Sequence, residues 1–306
     1  MHFYRLYGLN IISEIPLNPL DCLEPCFEKA PDATISFGKV PDSLRQPPRQ
    51  CWAEFQATQD EFLLEHPHLG VSIYIKTPSE IIIDKEKNTN IDTTVLYLLG
   101  SAIGALLMMK DYLPMHASSM LTDKGAVVFT GVSGAGKSTI AGALLARGYK
   151  TITDDICPIK IHEGIPYAYS GHSNLKLWES TLNIFKEEFE HLPKIRADIN
   201  KYYYNSENSA ADGKYPIYKI YQIETHNENK IEIIPVEKGL NKLELIMNNT
   251  YRMQFIEGLG KRRTHFKIAS ALANIQISKI KRPSITEDFN AFVDMVERDM
   301  MRIMEN

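Results

Sequence analysis

Ala126-Val-Val-Phe-Thr-Gly-Val-Ser-Gly-Ala-Gly-Lys-Ser-Thr139 sets an apolar run, a glycine-rich turn and a helix start in that order. Gly131, Gly136, Lys137 and Ser138 fill the G-x-x-x-x-G-K-S/T pattern of a phosphate-binding loop. In that loop backbone N–H groups cradle phosphate oxygens, the lysine reaches the β- and γ-phosphates and the hydroxyl ligates Mg2+. Ser133, Gly134 and Ala135, with Thr139 in the first helical turn, complete the nucleotide-binding set. Residues 126–130 form a β-type run, and residues 138–147 a helix pattern closed by Gly148, so the strand–turn–helix context of the motif is met. An anion at that helix start gains from unpaired N–H groups and the positive end of the dipole. ATP and Mg2+ are the expected ligands.

Downstream, Tyr149-Lys-Thr-Ile-Thr-Asp-Asp-Ile-Cys157 is a short strand ending in two adjacent carboxylates, Asp154 and Asp155. Because neighbouring strand side chains point to opposite sides, one carboxylate is expected to face the metal and the other an acceptor. Upstream, Leu113-Pro-Met-His-Ala-Ser-Ser-Met-Leu121 is a strand with His116 near its start, joined to the loop-bearing strand by a hairpin turn over residues 122–125. Before it, residues 94–109 are almost wholly apolar, shorter than the ~20 residues that span a bilayer, and read as a buried helix inside the α/β layer.

Residues 3–86 alternate with period two in runs at 3–12, 33–40, 51–57, 61–64, 71–76 and 81–84, punctuated by Pro, Asp and Asn, which predicts an antiparallel β-rich region. The expected division is a β-rich N-terminal domain over 1–90 and a catalytic domain over 91–306. Toward the C-terminus the pattern gives a strand at 173–178, a helix at 179–192 buried through Leu182, Phe185 and Phe189, a loop at 205–213, and strands at 217–223 and 230–236. Helices at 238–248 and 264–274, a strand at 275–281 and an amphipathic last helix at 286–304 complete it.

The 306-residue chain has 44% hydrophobic and 24% charged residues, ordinary for globular proteins. A net charge of −4 gives no electrostatic ground for a nucleic acid or anionic membrane as partner. Cys22, Cys26, Cys51 and Cys157 lack a paired spacing and the first residues lack a secretion-signal layout, so a cytoplasmic protein with ordinary thiols is expected.

Taken together, His116-Ala-Ser-Ser, Gly131-Val-Ser-Gly-Ala-Gly-Lys-Ser-Thr139, Ala146-Arg-Gly-Tyr149 and Thr153-Asp-Asp155 resemble the catalytic core of HPr serine kinase/phosphorylase, over about residues 113–160. The resemblance implies an α/β fold with the P-loop kinase core shared by HPr kinases and phosphoenolpyruvate carboxykinases, the loop lying between strands of a mixed sheet. It also implies that Asp155 is the general base toward a seryl hydroxyl, and that Asp154 and His116 sit around the phosphates and metal. Tyr4-Arg-Leu-Tyr-Gly-Leu-Asn10, Leu113-Pro-Met-His-Ala-Ser118, Leu175-Lys-Leu-Trp178 and Asn248-Asn-Thr-Tyr-Arg252 look more like a divergent branch, the kinases that phosphorylate a C-terminal serine of lasso-peptide precursors. The glycine- and asparagine-rich second signature of HPr kinases is not found downstream of the aspartate pair.

Phosphoryl transfer needs positioning and charge neutralisation more than covalent help, so these parts form a sufficient set. Ser138 and Asp154 are expected to hold Mg2+, Lys137 to neutralise phosphate oxygens and Asp155 to deprotonate the acceptor. Arg252 is the first candidate for a cation on the moving phosphoryl group, followed by Lys176, Arg196 and Lys201. The expected partner is a serine-bearing peptide or small protein, and self-association into a homo-oligomer is allowed. HPr or free serine as acceptor, and a nucleotide-dependent binding switch or assembly factor, are the alternatives.

Overall fold

The computed structural model describes residues 1–18, 20, 23, 30–87, 90–171, 175–179, 181–182, 191–195, 199–204, 211–228, 230–283 and 288–301. The fold is mixed α/β and divides into two compact units. The first comprises residues 1–114, 195–199 and 251–268, the second residues 115–194, 200–250 and 269–306. The division therefore does not follow residue 90.

In the first unit, β1 (His2–Leu6), β2 (Leu9–Ser13), β3 (Ala33–Phe37), β4 (Gln50–Trp52), β5 (Phe55–Ala57), β6 (Phe62–His66), β7 (Val71–Thr77) and β8 (Glu80–Ile83) form one sheet in the order β1-β2-β3-β8-β7-β6-β5-β4. The runs expected at 3–12 and 51–57 are each broken into a hairpin; in the first, Tyr7 and Gly8 both take positive φ, as a two-residue turn matched to strand twist requires. The expectation of an antiparallel region is corrected in the middle of the sheet. There β3 lies parallel to both β2 and β8, because the chain leaves β3 to build β4–β7 and returns beside it.

Helix α1 (Ile91–Met109) starts at Asn90, whose side chain accepts the Thr93 N–H, and winds through a wider π stretch at Leu98–Ala102. It packs on β6 and β7, which is why the first unit runs past residue 90. At 19 residues and mean hydropathy 1.7 it is long and apolar enough to cross a membrane, yet 61% of its apolar window is buried within the fold.

In the second unit, β9 (Leu113–Thr122), β10 (Gly125–Thr130), β12 (Ile156–His162), β13 (Ile165–Tyr169), β16 (Lys214–His226), β17 (Glu232–Pro235) and β18 (Gln276–Pro283) form a sheet in the order β10-β9-β12-β13-β16-β18-β17. Strand β11 (Lys150–Thr153) pairs with β9, and β14 (Leu175–Trp178) with β15 (Lys201–Tyr204) in a separate hairpin. The 13-residue β16 is the axis: residues 214–216 pair with β13, and from Ile217 onward it runs parallel to β10 and then β18. All six residues of β10 are buried, as expected of a strand covered on both faces.

Helices α2 (Lys137–Ala146) and α5 (Phe289–Met301) cover one face of that sheet, while α3 (Gly239–Asn248) and α4 (Arg262–Leu272) precede β18 in the chain. Ile140 and Leu144 of α2 meet Phe129, Tyr221 and Ile280 of the sheet and Phe292, Val296 and Met300 of α5 in one core cluster. Phe129 and Tyr221 stack with centroids 5.4 Å apart. Leu182 is buried in the same cluster; Phe185 and Phe189, also expected there, lie outside the described residues, as do Cys22 and Cys26.

Candidate active site

The phosphate loop runs from the end of β10 to the start of α2. Its backbone is fixed by two glycines. Gly131 has φ 142°, and a Cβ there would lie 2.5 Å from the Ile223 carbonyl oxygen at the C-terminal end of β16. Gly136 has φ 104°, and a Cβ there would lie 2.6 Å from Arg282 Nη2. Arg282, at the end of β18, donates to the Ala135 carbonyl through Nε at 3.2 Å and Nη2 at 2.9 Å. The loop is thus braced by the C-terminal ends of two parallel strands, where α/β sheets place their ligands. No side chain caps α2 at Gly136, which leaves its first N–H groups to face an anion.

Lys137, 7% exposed, folds over the loop and donates from Nζ to the carbonyls of Gly131 (2.9 Å) and Val132 (3.2 Å). Burial lowers its pKa, against the opposing pull of Asp154 and Asp155. Ser138 Oγ donates to both carboxylate oxygens of Asp154, at 3.1 and 3.3 Å. Asp154 is 1% exposed and also accepts from Ser118 Oγ and, at 2.8 Å, from the Lys176 N–H.

Asp155 points elsewhere. Its carboxylate lies 2.9 Å from Lys176 Nζ and 3.4 Å from His116 Nδ1, and its carbonyl oxygen lies 3.0 Å from the same imidazole nitrogen. Burial pushes its carboxyl up, but the Lys176 ammonium, with His116 and Lys201, holds it well below the usual carboxylate range. Burial first, then the Lys137 charge, keeps the His116 pKa below its ordinary value. The two aspartates do face different partners, yet the expected cause is corrected. They sit in the link between β11 and β12, with Asp155 in the left-handed region at φ 70°, so a turn rather than strand alternation separates them.

His116, Ser133, Gly134, Gly136, Lys137, Ser138, Thr139, Asp154 and Asp155 line one cavity of about 120 Å3, closed by Trp178, Thr181 and Lys201. That volume admits a phosphoryl group. Ala135 is buried beneath the loop, and Thr139 Oγ1 lies 3.0 Å from Thr181 Oγ1. Among the lysines named from sequence, Lys176 is committed to Asp155, while Lys201 lies across the cavity with its ammonium 5.5 Å from the Trp178 ring centroid. Arg252 belongs to the first unit, in the left-handed region at φ 50° with its guanidinium over Tyr251; Arg196 lies outside the described residues.

The residues present fit a nucleotide with its metal. A backbone cradle in which Cβ atoms at 131 and 136 would collide, and one hydroxyl beside one carboxylate, match Mg2+, which takes one or two protein oxygens and leaves the rest to phosphates and water. Among the described residues no group of three or more His, Cys, Asp or Glu could hold an ion by itself.

Ser118, Thr181, Trp178 and Arg282 were not read from sequence as site residues. Ser118 had a signal: it shares the β9 face of His116 at a spacing of two. Arg282 had none, lying 147 residues beyond the Ala135 carbonyl that it holds.

No family model matches the chain, and no curated protein matches it. Among solved structures it is similar to the Hpr(Ser) kinase/phosphatase from Coxiella burnetii, at 13% identity over 61% of this chain and 90% of that one, with a TM-score of 0.34. A likeness that distant bears on neither the site nor its chemistry.

Proposed function

We propose that this protein transfers the γ-phosphoryl group of ATP to a serine hydroxyl of a peptide, the C-terminal serine of a lasso-peptide precursor being the acceptor that the sequence resemblance implies. The observation that carries the reading is that an ionised, oriented carboxylate, Asp155, lines one cavity with the loop lysine and a hydroxyl–carboxylate pair. A binding switch needs the cradle but has no use for a second carboxylate held clear of the metal ligands.

Ser138 and Asp154 would hold Mg2+, which supplies charge neutralisation on the phosphate oxygens. The loop N–H groups and Lys137 bind and orient the phosphates. Asp155 accepts the acceptor hydroxyl proton on a carboxylate oxygen; a weak base suffices, because the hydroxyl proton is lost late in a loose phosphoryl transfer. His116 braces Asp155 through its carbonyl oxygen and carboxylate, and Lys201 offsets charge on the moving group.

Mass spectrometry of serine-bearing peptides, HPr and free serine incubated with ATP, Mg2+ and the protein tests this reading. A gain of one phosphoryl group on a peptide is expected. Release of free phosphate with no acceptor modified would replace the kinase reading with the switch.

A further inference from the structure

Lys176 touches both aspartates through different atoms. Its backbone N–H donates to Asp154 Oδ2 at 2.8 Å, and its Nζ lies 2.9 Å from Asp155 Oδ2. The strand that carries it is well anchored: Leu175 and Leu177, on either side, are fully buried in the core, and Lys176 pairs with Tyr203 of β15. Strand alternation therefore turns the lysine away from the core and toward the aspartates, where its side chain is 12% exposed.

Two adjacent carboxylates beside a buried lysine and a metal-binding hydroxyl have a physical problem. Both are attracted to the same positive charge, and a base drawn to the metal is lost to the acceptor. Building on the functional reading above, we propose that Lys176 is the positioning residue that divides the pair, its main chain holding Asp154 on Ser138 and its ammonium holding Asp155 toward the acceptor. The two arms differ in what substitution can reach. The backbone donor survives any substitution except proline, whereas the ammonium does not.

Binding and turnover should therefore respond differently to substitution. Lys176→Met keeps Asp154 in place and so binds ATP·Mg2+, measured by titration calorimetry, within about twofold of wild type, while kcat for transfer to a serine-peptide pool falls ~10^2-fold, the scale of an ångström-level misplacement. Lys176→Arg, which restores a cation at the same site, recovers at least about tenfold of that loss. Lys176→Met with wild-type kcat, or with calorimetric ATP·Mg2+ binding abolished, overturns the inference while leaving the kinase reading intact; so does an Arg variant no better than Met. A wild-type protein that neither binds ATP·Mg2+ nor modifies any peptide overturns the kinase reading itself.

Discussion

The imidazole Nδ1 of His116 lies 3.0 Å from the carbonyl oxygen of Asp155 and 3.4 Å from its carboxylate. With its pKa held below 6.5 by burial and the Lys137 charge, the ring is neutral at physiological pH and acts as a polar brace on the turn. His116→Phe should therefore retain ATP binding and lose ~10^2-fold in transfer rate. The pH–rate profile of the wild type should show no limb at or above the ordinary histidine value of 6.5. A histidine limb at or above that pH would contradict the assignment.

Three loop glycines have positive φ but differ in surroundings, and the difference is measurable. A Cβ at Gly134 meets nothing within 4 Å, whereas one at Gly131 meets a backbone oxygen at 2.5 Å. Gly134→Ala should cost ~1 kcal/mol, the left-handed backbone penalty alone. Gly131→Ala should cost more and abolish ATP binding, because the backbone of β16 cannot yield as a side chain would. Equal melting temperatures and affinities for the two variants would contradict this ordering.

Beneath the sheet, the Lys219 ammonium, 3% exposed, lies 2.7 Å from Asp299, which also accepts from the Tyr221 hydroxyl at 2.6 Å. Removing one partner of a buried pair leaves an uncompensated charge. Asp299→Asn should destabilise by ~3 kcal/mol in denaturant unfolding, and the double variant Lys219→Met/Asp299→Leu should recover much of that loss. A double variant less stable than Asp299→Asn would show that the pair itself stabilises the fold.

Burial depresses the pKa of His265 to about 4 from 6.5, in a residue only 6% exposed. Above pH 6.5 neither the folded nor the unfolded form is charged and the residue contributes no pH dependence. Between about 6.5 and 4 the unfolded chain binds a proton that the folded chain does not, so stability falls as pH falls, by ~1.4 kcal/mol per unit from this group. Urea midpoints for His265→Gln should flatten across that window relative to wild type; parallel curves would contradict the burial argument.

The parts of the site that were legible in sequence are those in which one local stretch sets both backbone and chemistry. Gly131 and Gly136 specify a turn, Lys137 and Ser138 follow on the helix, and Asp154-Asp155 come only one helix and one strand later. Arg282, which braces the loop from β18, and Trp178, which meets Lys201 across a hairpin whose two strands are far apart in sequence, left no such trace, and Lys176 and Lys201 were legible only as candidate cations. The β12–β13 hairpin was also missed, although Glu163 and Gly164 form a two-residue turn with positive φ between alternating strands. Helix α1 was legible as a buried helix, since apolarity reports burial but not which sheet provides it.

In the proposed transfer Asp155 receives the acceptor proton while the remaining residues hold the nucleotide. Single-turnover transfer from γ-labelled ATP to a serine-peptide pool, comparing wild type with Asp155→Asn at matched nucleotide occupancy, tests it most directly. Wild-type ATP binding and a ~10^3-fold loss of label on peptide, the scale of general-base removal, are expected of Asp155→Asn. Label transferred at the wild-type rate by Asp155→Asn would contradict it.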